Sequence, residues 1–466
     1  MVRSTRVAVA CALVVVLAAS GCTGDRSEPR RDFRPGSNGV GDPYFPTYGN
    51  GGYDVASYAL KLTYDPADDR VTGNATITAT ATSDLSRFNL DLVGLTVSTV
   101  TVDGKRAGNS RDGAELVITP DAGLPKGRRF TVEIGYAGVP EQITSSDLGK
   151  NGFFDTRDGA IALGQPESAS TWFPVNDHPL DKASYEIEVT VPDGLSALSN
   201  GVPGGTTKAG GWTTWKWSTR TPMASYLATV VIGNYRVKSG THDGKPLVTA
   251  VAATLPVGAA DAAMARTGEI ADFLATQFGP YPFEAYGGIV VDNDRIRYAL
   301  ETQTRPVYGN VFFGSGPSTW VVAHELAHQW FGDSVSIHHW SDIWLNEGFA
   351  TYAEWLWEEH DGGKPVRANV ESEYARTDWS KPTADPGRSA IFSPAVYKRG
   401  GLTVHALRRT VGDDAFFRIL RTWTAEKRDG NATTAEFITV AERVSGRSLR
   451  SFFDEWLSGN TAPPLP

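Results

Sequence analysis

The sequence predicts an α+β protein in which an N-terminal β domain precedes a mainly helical domain. In the first half of the chain, apolar residues alternate with polar ones between Gly, Pro and Asp turn signals, which is typical of half-buried antiparallel strands. Near residue 252 the alternation gives way to stretches of helix-forming residues. The 466 residues, of which 41% are hydrophobic and 21% charged, are enough for two globular units.

The predicted β domain covers residues 51–252 and forms a sandwich or a saddle-shaped sheet. Successive side chains of a strand point to opposite faces, so each alternating run buries one face. The clearest alternating runs are residues 58–64, 88–92, 130–136 and 185–191.

The predicted helical domain covers residues 253–466. Its first helix spans residues 259–278 and ends at Gly279 and Pro280, two residue types that stop helices. Two short strands interrupt the helical region, at residues 289–292 and 298–303.

Residues 1–22 are predicted to be a targeting segment. Two arginines precede an apolar run at residues 7–19, which is too short to span a bilayer. The following Ser20-Gly21-Cys22 resembles a bacterial lipobox. Cys22 is therefore predicted to carry a lipid that anchors the protein to the cell membrane outside the cytoplasm. The alternative is an ordinary secretory signal that is cleaved nearby and releases the protein.

Cys11 and Cys22 are the two cysteines of the chain, and both fall in the predicted targeting segment. No disulfide is therefore predicted, and stability is expected to come from core packing and a bound metal. Residues 23–50, rich in Gly, Pro, Arg and Asp, are predicted to be a flexible tether. The net charge of −9 is mild and no Lys/Arg stripe is present, so nucleic acid is not a predicted partner.

A His-Glu-x-x-His motif predicts a zinc site. It lies on a helix predicted to start at Ser318 and to stop at Gly332. His324 and His328 are four residues apart on this helix, so their rings point from one face towards one ion. Catalytic zinc takes three protein ligands and keeps a fourth position open. Glu347, 19 residues after the second histidine, is predicted to lie on a neighbouring helix and to be the third ligand of one zinc ion per chain.

Residues beside these ligands suggest hydrolysis. Glu325 is predicted to be the general base that takes a proton from the attacking water. Asn346 precedes the ligand Glu347 and is a candidate hydrogen-bond donor. Glu354 lies seven residues beyond that ligand on the same helical face, where it either orients a histidine or is a solvent-facing charge. The remaining histidines are predicted to be structural or surface residues.

The zinc motif and its helices, together with residues 88–92 and 172–179, make the chain similar to the gluzincin aminopeptidases related to aminopeptidase N and leukotriene hydrolase. The resemblance covers residues 53–465. It implies a saddle-like β domain followed by a thermolysin-like catalytic domain, without the further C-terminal domains of larger members. It also implies a zinc aminopeptidase that releases N-terminal residues from peptides, here in a short bacterial lipoprotein form.

The resemblance implies a catalytic hydroxyl as well. The oxyanion formed during peptide hydrolysis calls for a hydrogen-bond donor. Tyr397 resembles the tyrosine with which the family supplies that donor, although Arg399 stands where the family usually has lysine. The alternative is an ordinary half-buried tyrosine at a helix start.

The family binds the substrate's amine through a Gly-x-Met-Glu-Asn motif, which residues 298–302 match in part. Glu301 keeps the carboxylate, whereas Tyr298, Leu300 and Thr302 replace the other three residues. Upstream, Gln165 is preferred over Glu167 as the residue that contacts the amino end of the substrate. An extended strand at this position would also let the substrate backbone pair along it.

Other functions stay open, because the zinc ligands alone do not choose among substrates. A zinc endopeptidase or an epoxide-opening hydrolase fits the same scaffold. A lipoprotein that binds peptides without cleaving them is a third possibility. Glu301 favours an exopeptidase, and Glu325 argues against mere binding, since a binding protein has no need of a base there.

Overall fold

Strands fill the first half of the chain and helices most of the second, in a computed structural model that describes residues 31–145 and 149–466. Residues Phe33–Pro466 form one compact unit. The predicted targeting segment, residues 1–22, and the predicted lipid attachment at Cys22 lie outside the described residues. Among the helices in the described part of the chain, none combines the length and the apolar character that crossing a membrane requires.

The described residues form 24 strands. Those before residue 253 are β1 (Arg34–Pro35), β2 (Tyr53–Asp65), β3 (Arg70–Ala81), β4 (Leu85–Asp91), β5 (Thr96–Val102), β6 (Lys105–Arg106), β7 (Gly108–Asp112), β8 (Glu115–Thr119), β9 (Arg129–Gly138), β10 (Ile143–Ser145), β11 (Gly149–Asp155), β12 (Ala160–Leu163), β13 (Ala183–Pro192), β14 (Ser196–Ser199), β15 (Val202–Ala209), β16 (Trp212–Met223), β17 (Val230–Gly233), β18 (Tyr235–His242) and β19 (Lys245–Ala252). Those after it are β20 (Tyr286–Val291), β21 (Ala299–Leu300), β22 (Val307–Gly309), β23 (Ser336–Ile337) and β24 (Asn431–Ala432).

Nine α-helices occur in the same described ranges, all after residue 258. They are α1 (Ala259–Ala265), α2 (Thr267–Phe278), α3 (Thr319–Ala327), α4 (Trp344–His360), α5 (Val366–Arg376), α6 (Gly400–Val411), α7 (Asp413–Glu426), α8 (Thr434–Ser445) and α9 (Arg450–Phe453). Short 3₁₀ or π turns lie at Ala169–Thr171, Ser225–Leu227, Asn310–Phe313, Trp340–Asp342, Arg388–Ala390, Ala395–Arg399 and Asp454–Ser458.

The largest sheet has eight strands in the order β15-β16-β13-β2-β3-β9-β5-β6. All four predicted alternating runs lie on strands, three of them in this sheet on β2, β9 and β13 and the fourth on β4. In β2 the buried and more exposed positions largely alternate, as expected for a strand with one face on the core. Neighbouring strands are antiparallel with one exception, since β13 runs parallel to β2. These two strands are far apart in sequence, so the short turns that make antiparallel neighbours do not join them.

A five-stranded sheet, in the order β18-β19-β20-β22-β21, contributes to the half of the chain that contains the predicted zinc ligands. In this sheet β19, which ends at residue 252, pairs with β20, which lies after that residue. The sequence predicted a domain boundary at residue 252, and that boundary stays a prediction. The predicted strand at residues 298–303 is shorter, since β21 covers Ala299–Leu300 alone. Beyond it the chain turns, with the amide of Arg305 donating to the carbonyl of Thr302. β21 is therefore short, and it lies at the edge of the sheet because it is the last strand in the order.

The predicted helix at residues 259–278 is divided into α1 and α2. The break is at Arg266, whose guanidinium pairs with Glu269 and Asp361. The C-terminal end agrees with the prediction, because α2 stops at Phe278 and Gly279 follows with a φ of 99°.

Residues 33–50 differ from the predicted flexible tether. Asp42 is buried, and its carboxylate accepts a hydrogen bond of 2.8 Å from the backbone amide of Trp340. The ring of Phe45 packs edge-on against the Trp340 indole, with 6.1 Å between ring centroids. Tyr44 bonds to Asp385 through its hydroxyl. Contacts of a few side chains therefore order this segment, although its Gly and Pro content predicted a flexible tether.

Candidate active site

The two predicted zinc helices, α3 and α4, lie against each other. α3 carries His324 and ends at Ala327, so His328 occupies the residue immediately after the helix, with φ −58° and ψ −24°. The helix is therefore shorter than predicted, but both rings still point to one side. Ser318 precedes α3 without capping it through its side chain, because its hydroxyl donates to the carbonyl of Phe312 instead.

The side chains of His324, His328 and Glu347 meet at one point. The Oε2 atom of Glu347 lies 3.4 Å from the Nε2 atom of each histidine. Ligands that are about 2.0–2.1 Å from a tetrahedral zinc ion lie about 3.3 Å from one another. Within the described residues this Oε2 atom is buried and takes part in no hydrogen bond. The three side chains therefore fit one zinc ion.

The Nδ1 atoms of both histidines are engaged elsewhere. His324 Nδ1 lies 2.5 Å from Oε1 of Glu354, and His328 Nδ1 lies 3.0 Å from the carbonyl oxygen of Phe331. Donation from Nδ1 fixes each ring and leaves its Nε2 lone pair facing the metal position. Glu354 is 9% exposed, so it orients a histidine and is not the solvent-facing charge that the sequence left open.

The ligand group is strongly polarised. Burial alone would lower the pKa of His328, but the carboxylates of Glu347 and Glu301 together more than offset this effect and raise that pKa to about 9. Burial acts in the opposite sense on Glu347, where the two histidines prevail and lower the pKa to about 2. Glu347 is thus an anionic ligand that favours positive charge at this position, as a divalent cation provides.

Glu325 lies beside this group and is 5% exposed. Its carboxylate, that of Glu301 and a ring nitrogen of His328 all lie within 4.8 Å of one another. Burial raises the pKa of Glu325 to about 8, although the nearby histidines oppose the shift. A carboxylate whose pKa lies near neutrality is suited to take up and return a proton.

Glu301 is held by residues from three separate segments. Its Oε1 atom accepts hydrogen bonds from Gln165 Nε2 at 3.1 Å and from the Tyr226 hydroxyl at 2.9 Å. The Gln329 side chain donates to the backbone carbonyl of Glu301 at 3.1 Å and accepts from the amide of Thr304 at 2.7 Å. Burial raises the pKa of Glu301.

The sequence did not predict two of these partners, Tyr226 and Gln329. Tyr226 lies in a short turn of the β domain and carries no motif. Gln329 directly follows His328, so its position in the zinc motif was the one available signal. By contrast, the predicted pair Gln165 and Glu301 is brought together across 136 residues of chain.

Tyr397 lies in the single turn Ala395–Arg399 that precedes α6. Its ring is nearly parallel to that of His324, with 6.1 Å between centroids. Burial raises the pKa of Tyr397 well above its ordinary value, so the hydroxyl stays protonated and able to donate.

Arg399 anchors the same turn. Its buried guanidinium donates to the backbone carbonyls of Lys381 at 2.6 Å, Trp456 at 2.7 Å and Gly459 at 2.7 Å. Arginine supplies five donors in a planar fork, whereas lysine presents its donors from one atom. The departure from the family's lysine therefore has a structural role in this chain.

Asn346 does not have the predicted supporting contacts. It is buried next to Glu347, yet neither its amide nitrogen nor its amide oxygen has a hydrogen-bond partner among residues 31–145 and 149–466. The Asn346 amide therefore does not orient the side chain of Glu347.

All seven predicted site residues line one cavity of about 280 Å³. They are Gln165, Glu301, His324, Glu325, His328, Glu347 and Tyr397. The edge strand β21 also lines this cavity, which leaves its backbone beside the metal position.

Comparison with known proteins agrees with this architecture. Residues 316–456 match the model of the peptidase family M1 domain, and residues 54–227 match that of the peptidase M1 N-terminal domain. Aminopeptidase N of Lactococcus lactis subsp. lactis is 27% identical over 439 residues, which are 86% of this chain and 50% of that protein. Aminopeptidase N of Streptomyces lividans is 25% identical over 405 residues, 79% of this chain and 46% of that protein. The chain spans half or less of the length of these curated relatives.

Solved structures of similar length match more completely. The crystal structure of an M1 zinc metallopeptidase from Deinococcus radiodurans has a TM-score of 0.84 and 33% identity, covering 92% of this chain and 98% of that one. A mutant of the Deinococcus radiodurans M1 zinc metallopeptidase bound to a Tyr-Ser-Ala substrate gives a TM-score of 0.85 and 32% identity, with 92% and 99% covered. Both the β half of this chain and the half with the predicted zinc ligands therefore have counterparts in M1 zinc metallopeptidases of known structure.

Proposed function

Because this chain belongs to peptidase family M1, we propose that it is a zinc aminopeptidase that removes the N-terminal residue of peptides. The observation that carries the proposal is the position of Glu301. Its buried carboxylate lies within 4.8 Å of the carboxylate of Glu325 and of a ring nitrogen of His328. A free peptide amine is a cation, so a fixed carboxylate at this distance holds the first peptide bond at the metal.

The mechanism assigns one task to each side chain. His324, His328 and Glu347 would hold the zinc, which when bound acts as a Lewis acid towards water and the scissile carbonyl. Glu325 accepts the proton of the attacking water and later passes it to the leaving amine. The Tyr397 hydroxyl donates to the oxygen on which negative charge develops.

The surroundings of Glu301 favour an exopeptidase over an endopeptidase. Gln165 and Tyr226 both donate to its Oε1 atom, so polar side chains occupy the space around the carboxylate. An endopeptidase needs that space for substrate residues on the amino side of the scissile bond. The names of the curated relatives, which are aminopeptidases, support the same choice.

The test is an assay of purified protein with aminoacyl-arylamides and their N-acetyl counterparts. We expect cleavage of the free-amine substrates, loss of that activity with a chelator and its return with zinc. Equal cleavage of blocked and free substrates would refute the aminopeptidase assignment while leaving a zinc hydrolase. Full activity in the chelator would refute the metal mechanism itself.

We also propose that the protein is attached to the outer face of the cell membrane through a lipid on Cys22. The support is the sequence of residues 1–22, with its arginines, its short apolar run and its Ser-Gly-Cys end. Mass spectrometry of the mature N-terminus is expected to show a lipidated Cys22. An unmodified N-terminus would instead indicate a secreted protein.

A further inference from the structure

Two cationic side chains on the wall of the active-site cavity have no task in the proposed mechanism. Arg297 is exposed and forms no hydrogen bond or ion pair within residues 31–145 and 149–466. The Lys398 side chain is 37% exposed, and its Nζ atom lies 3.8 Å from Oε2 of Glu354, at the outer limit of an ion pair. Both charges are therefore available to a ligand in the cavity.

Glu301 and Lys398 lie near different histidine ligands. The carboxylate of Glu301 lies within 4.8 Å of a ring nitrogen of His328. Lys398 is connected to His324 instead, through Glu354, whose other carboxylate oxygen is 2.5 Å from Nδ1 of that histidine. The cavity thus has a carboxylate beside one histidine ligand and an ammonium on the far side of the other.

The position of Arg297 limits how many residues of a bound peptide separate its amine from this arginine. It lies two residues before the edge strand β21, and Glu301 directly follows that strand. The free backbone groups of an edge strand can pair with an extended peptide. The chain bends at Tyr298, so the backbones of Arg297 and Glu301 lie closer together than the roughly 13 Å that four fully extended residues would span. Each extended residue of a bound peptide spans about 3.3 Å, so a peptide held by its amine at Glu301 reaches Arg297 by its third or fourth residue.

From this order of charges we infer that the site selects peptides with a carboxylate two or three residues after the N-terminal residue, bound by Arg297 and Lys398. The inference rests on the proposed function for the direction in which the peptide lies. Arginine donates in a fork that matches a carboxylate, and lysine adds a second charge. The carboxylate is either the C-terminus of a tripeptide or tetrapeptide, or an acidic side chain of a longer peptide.

Binding to the zinc-loaded Glu325→Gln protein tests this inference separately from catalysis. The probes are Leu-Gly-Gly and Leu-Gly-Gly amide, which differ in the C-terminal charge alone. We expect the acid to bind about tenfold more tightly, since a hydrogen bond to a charged group has about this effect on affinity. Adding Arg297→Gln and Lys398→Gln is expected to bring the ratio of the two Kd values to about one while leaving the Kd of the amide unchanged.

Arg295→Gln is the matched control, because Arg295 is an exposed arginine two residues away that pairs with Asp155 at 3.6 Å. It should keep the tenfold ratio. Equal Kd values for acid and amide in the parent protein, or an unchanged ratio in the double variant, would overturn the inference. Leu-Gly-Asp amide distinguishes the two sources, because it carries a side-chain carboxylate on the third residue and no C-terminal charge, and tight binding of this probe shows that a side-chain carboxylate is also accepted. Cleavage of uncharged aminoacyl-arylamides by the wild type reports on the proposed function independently.

Discussion

His324 and Glu354 are joined by a contact of 2.5 Å between Nδ1 and Oε1, across 30 residues of chain. Glu354 lies on α4, two turns beyond the ligand Glu347, so one helix provides both a metal ligand and the side chain that orients another ligand. The contact holds the His324 ring with its Nε2 atom towards the metal position. The Oε2 atom of Glu354 also lies 3.8 Å from the Nζ atom of Lys398. This contact connects Glu354 to the substrate side of the cavity.

Replacing Glu354 with glutamine should therefore weaken zinc binding without unfolding the protein. Partners of metal-bound histidines typically contribute 10-fold to 100-fold in metal affinity. We expect a loss of about this size when zinc affinity is measured by competition with a chelator. Glu371→Gln is the control, since Glu371 is an exposed glutamate paired with Arg367 on α5. Equal zinc affinity in both variants would mean that the contact does not support the ligand.

The variant Glu325→Gln should bind zinc normally and lose nearly all activity. The three ligands remain, but the amide cannot accept the proton of the attacking water, and such proton transfers contribute about 10²-fold to 10⁴-fold. Zinc content by metal analysis and kcat on an aminoacyl-arylamide give the two readouts. Substantial activity with full zinc occupancy would assign the base to another residue.

Tyr397→Phe should lower kcat by about a hundredfold or more with little change in KM. A donor that acts mainly on the oxyanion stabilises the transition state more than the bound substrate. Steady-state kinetics on one arylamide measures both constants. An unchanged kcat would make Tyr397 a packing residue beside the His324 ring.

The zinc ligands were predictable because their spacing on helices fixes their geometry. His324 and His328 are within one helical turn, and α4 needed only to lie beside α3 to bring Glu347 to them. The long strands were predictable for a similar reason, since the alternating pattern of β2 reports which face is buried.

Contacts between distant segments were not predictable from local patterns. Tyr226 meets Glu301 because a turn of the β domain packs against the half that carries the metal ligands, which no spacing in either segment indicates. Likewise, Asp42 lies in a Gly-rich and Pro-rich segment, and its burial depends on contacts with His178 and Trp340 far along the chain. Composition describes the tendency of a segment in isolation, whereas these residues are ordered by what they contact.

Arg399→Lys should destabilise the protein even though the charge is kept. The guanidinium donates to several backbone carbonyls that an ammonium group cannot reach together, so we expect the free energy of unfolding to fall by about 3 kcal/mol. Urea denaturation measures it. The control is Arg447→Lys, an exposed arginine that donates to the carbonyl of Thr410, for which a change within about 0.5 kcal/mol is expected. Equal losses in the two variants would contradict the anchoring role.

The charge of Glu301 is predicted to restrict cleavage to the first peptide bond. Glu301→Gln keeps the size of the side chain and an oxygen that can accept from Gln165 and Tyr226, but it removes the negative charge. A hydrogen bond to a charged group is worth about 1.5–3 kcal/mol, so kcat/KM on free-amine arylamides should fall by about 10-fold to 100-fold.

N-acetyl substrates carry no ammonium group, so the same substitution should leave their slow cleavage nearly unchanged. The decisive quantity is the ratio of kcat/KM for an aminoacyl-arylamide to that for its N-acetyl analogue, measured in wild type and variant. A charge that positions the amine predicts a large ratio in the wild type and a much smaller one in Glu301→Gln. If both substrates lose activity by the same factor, Glu301 supports the shape of the cavity and the amine is recognised by another group.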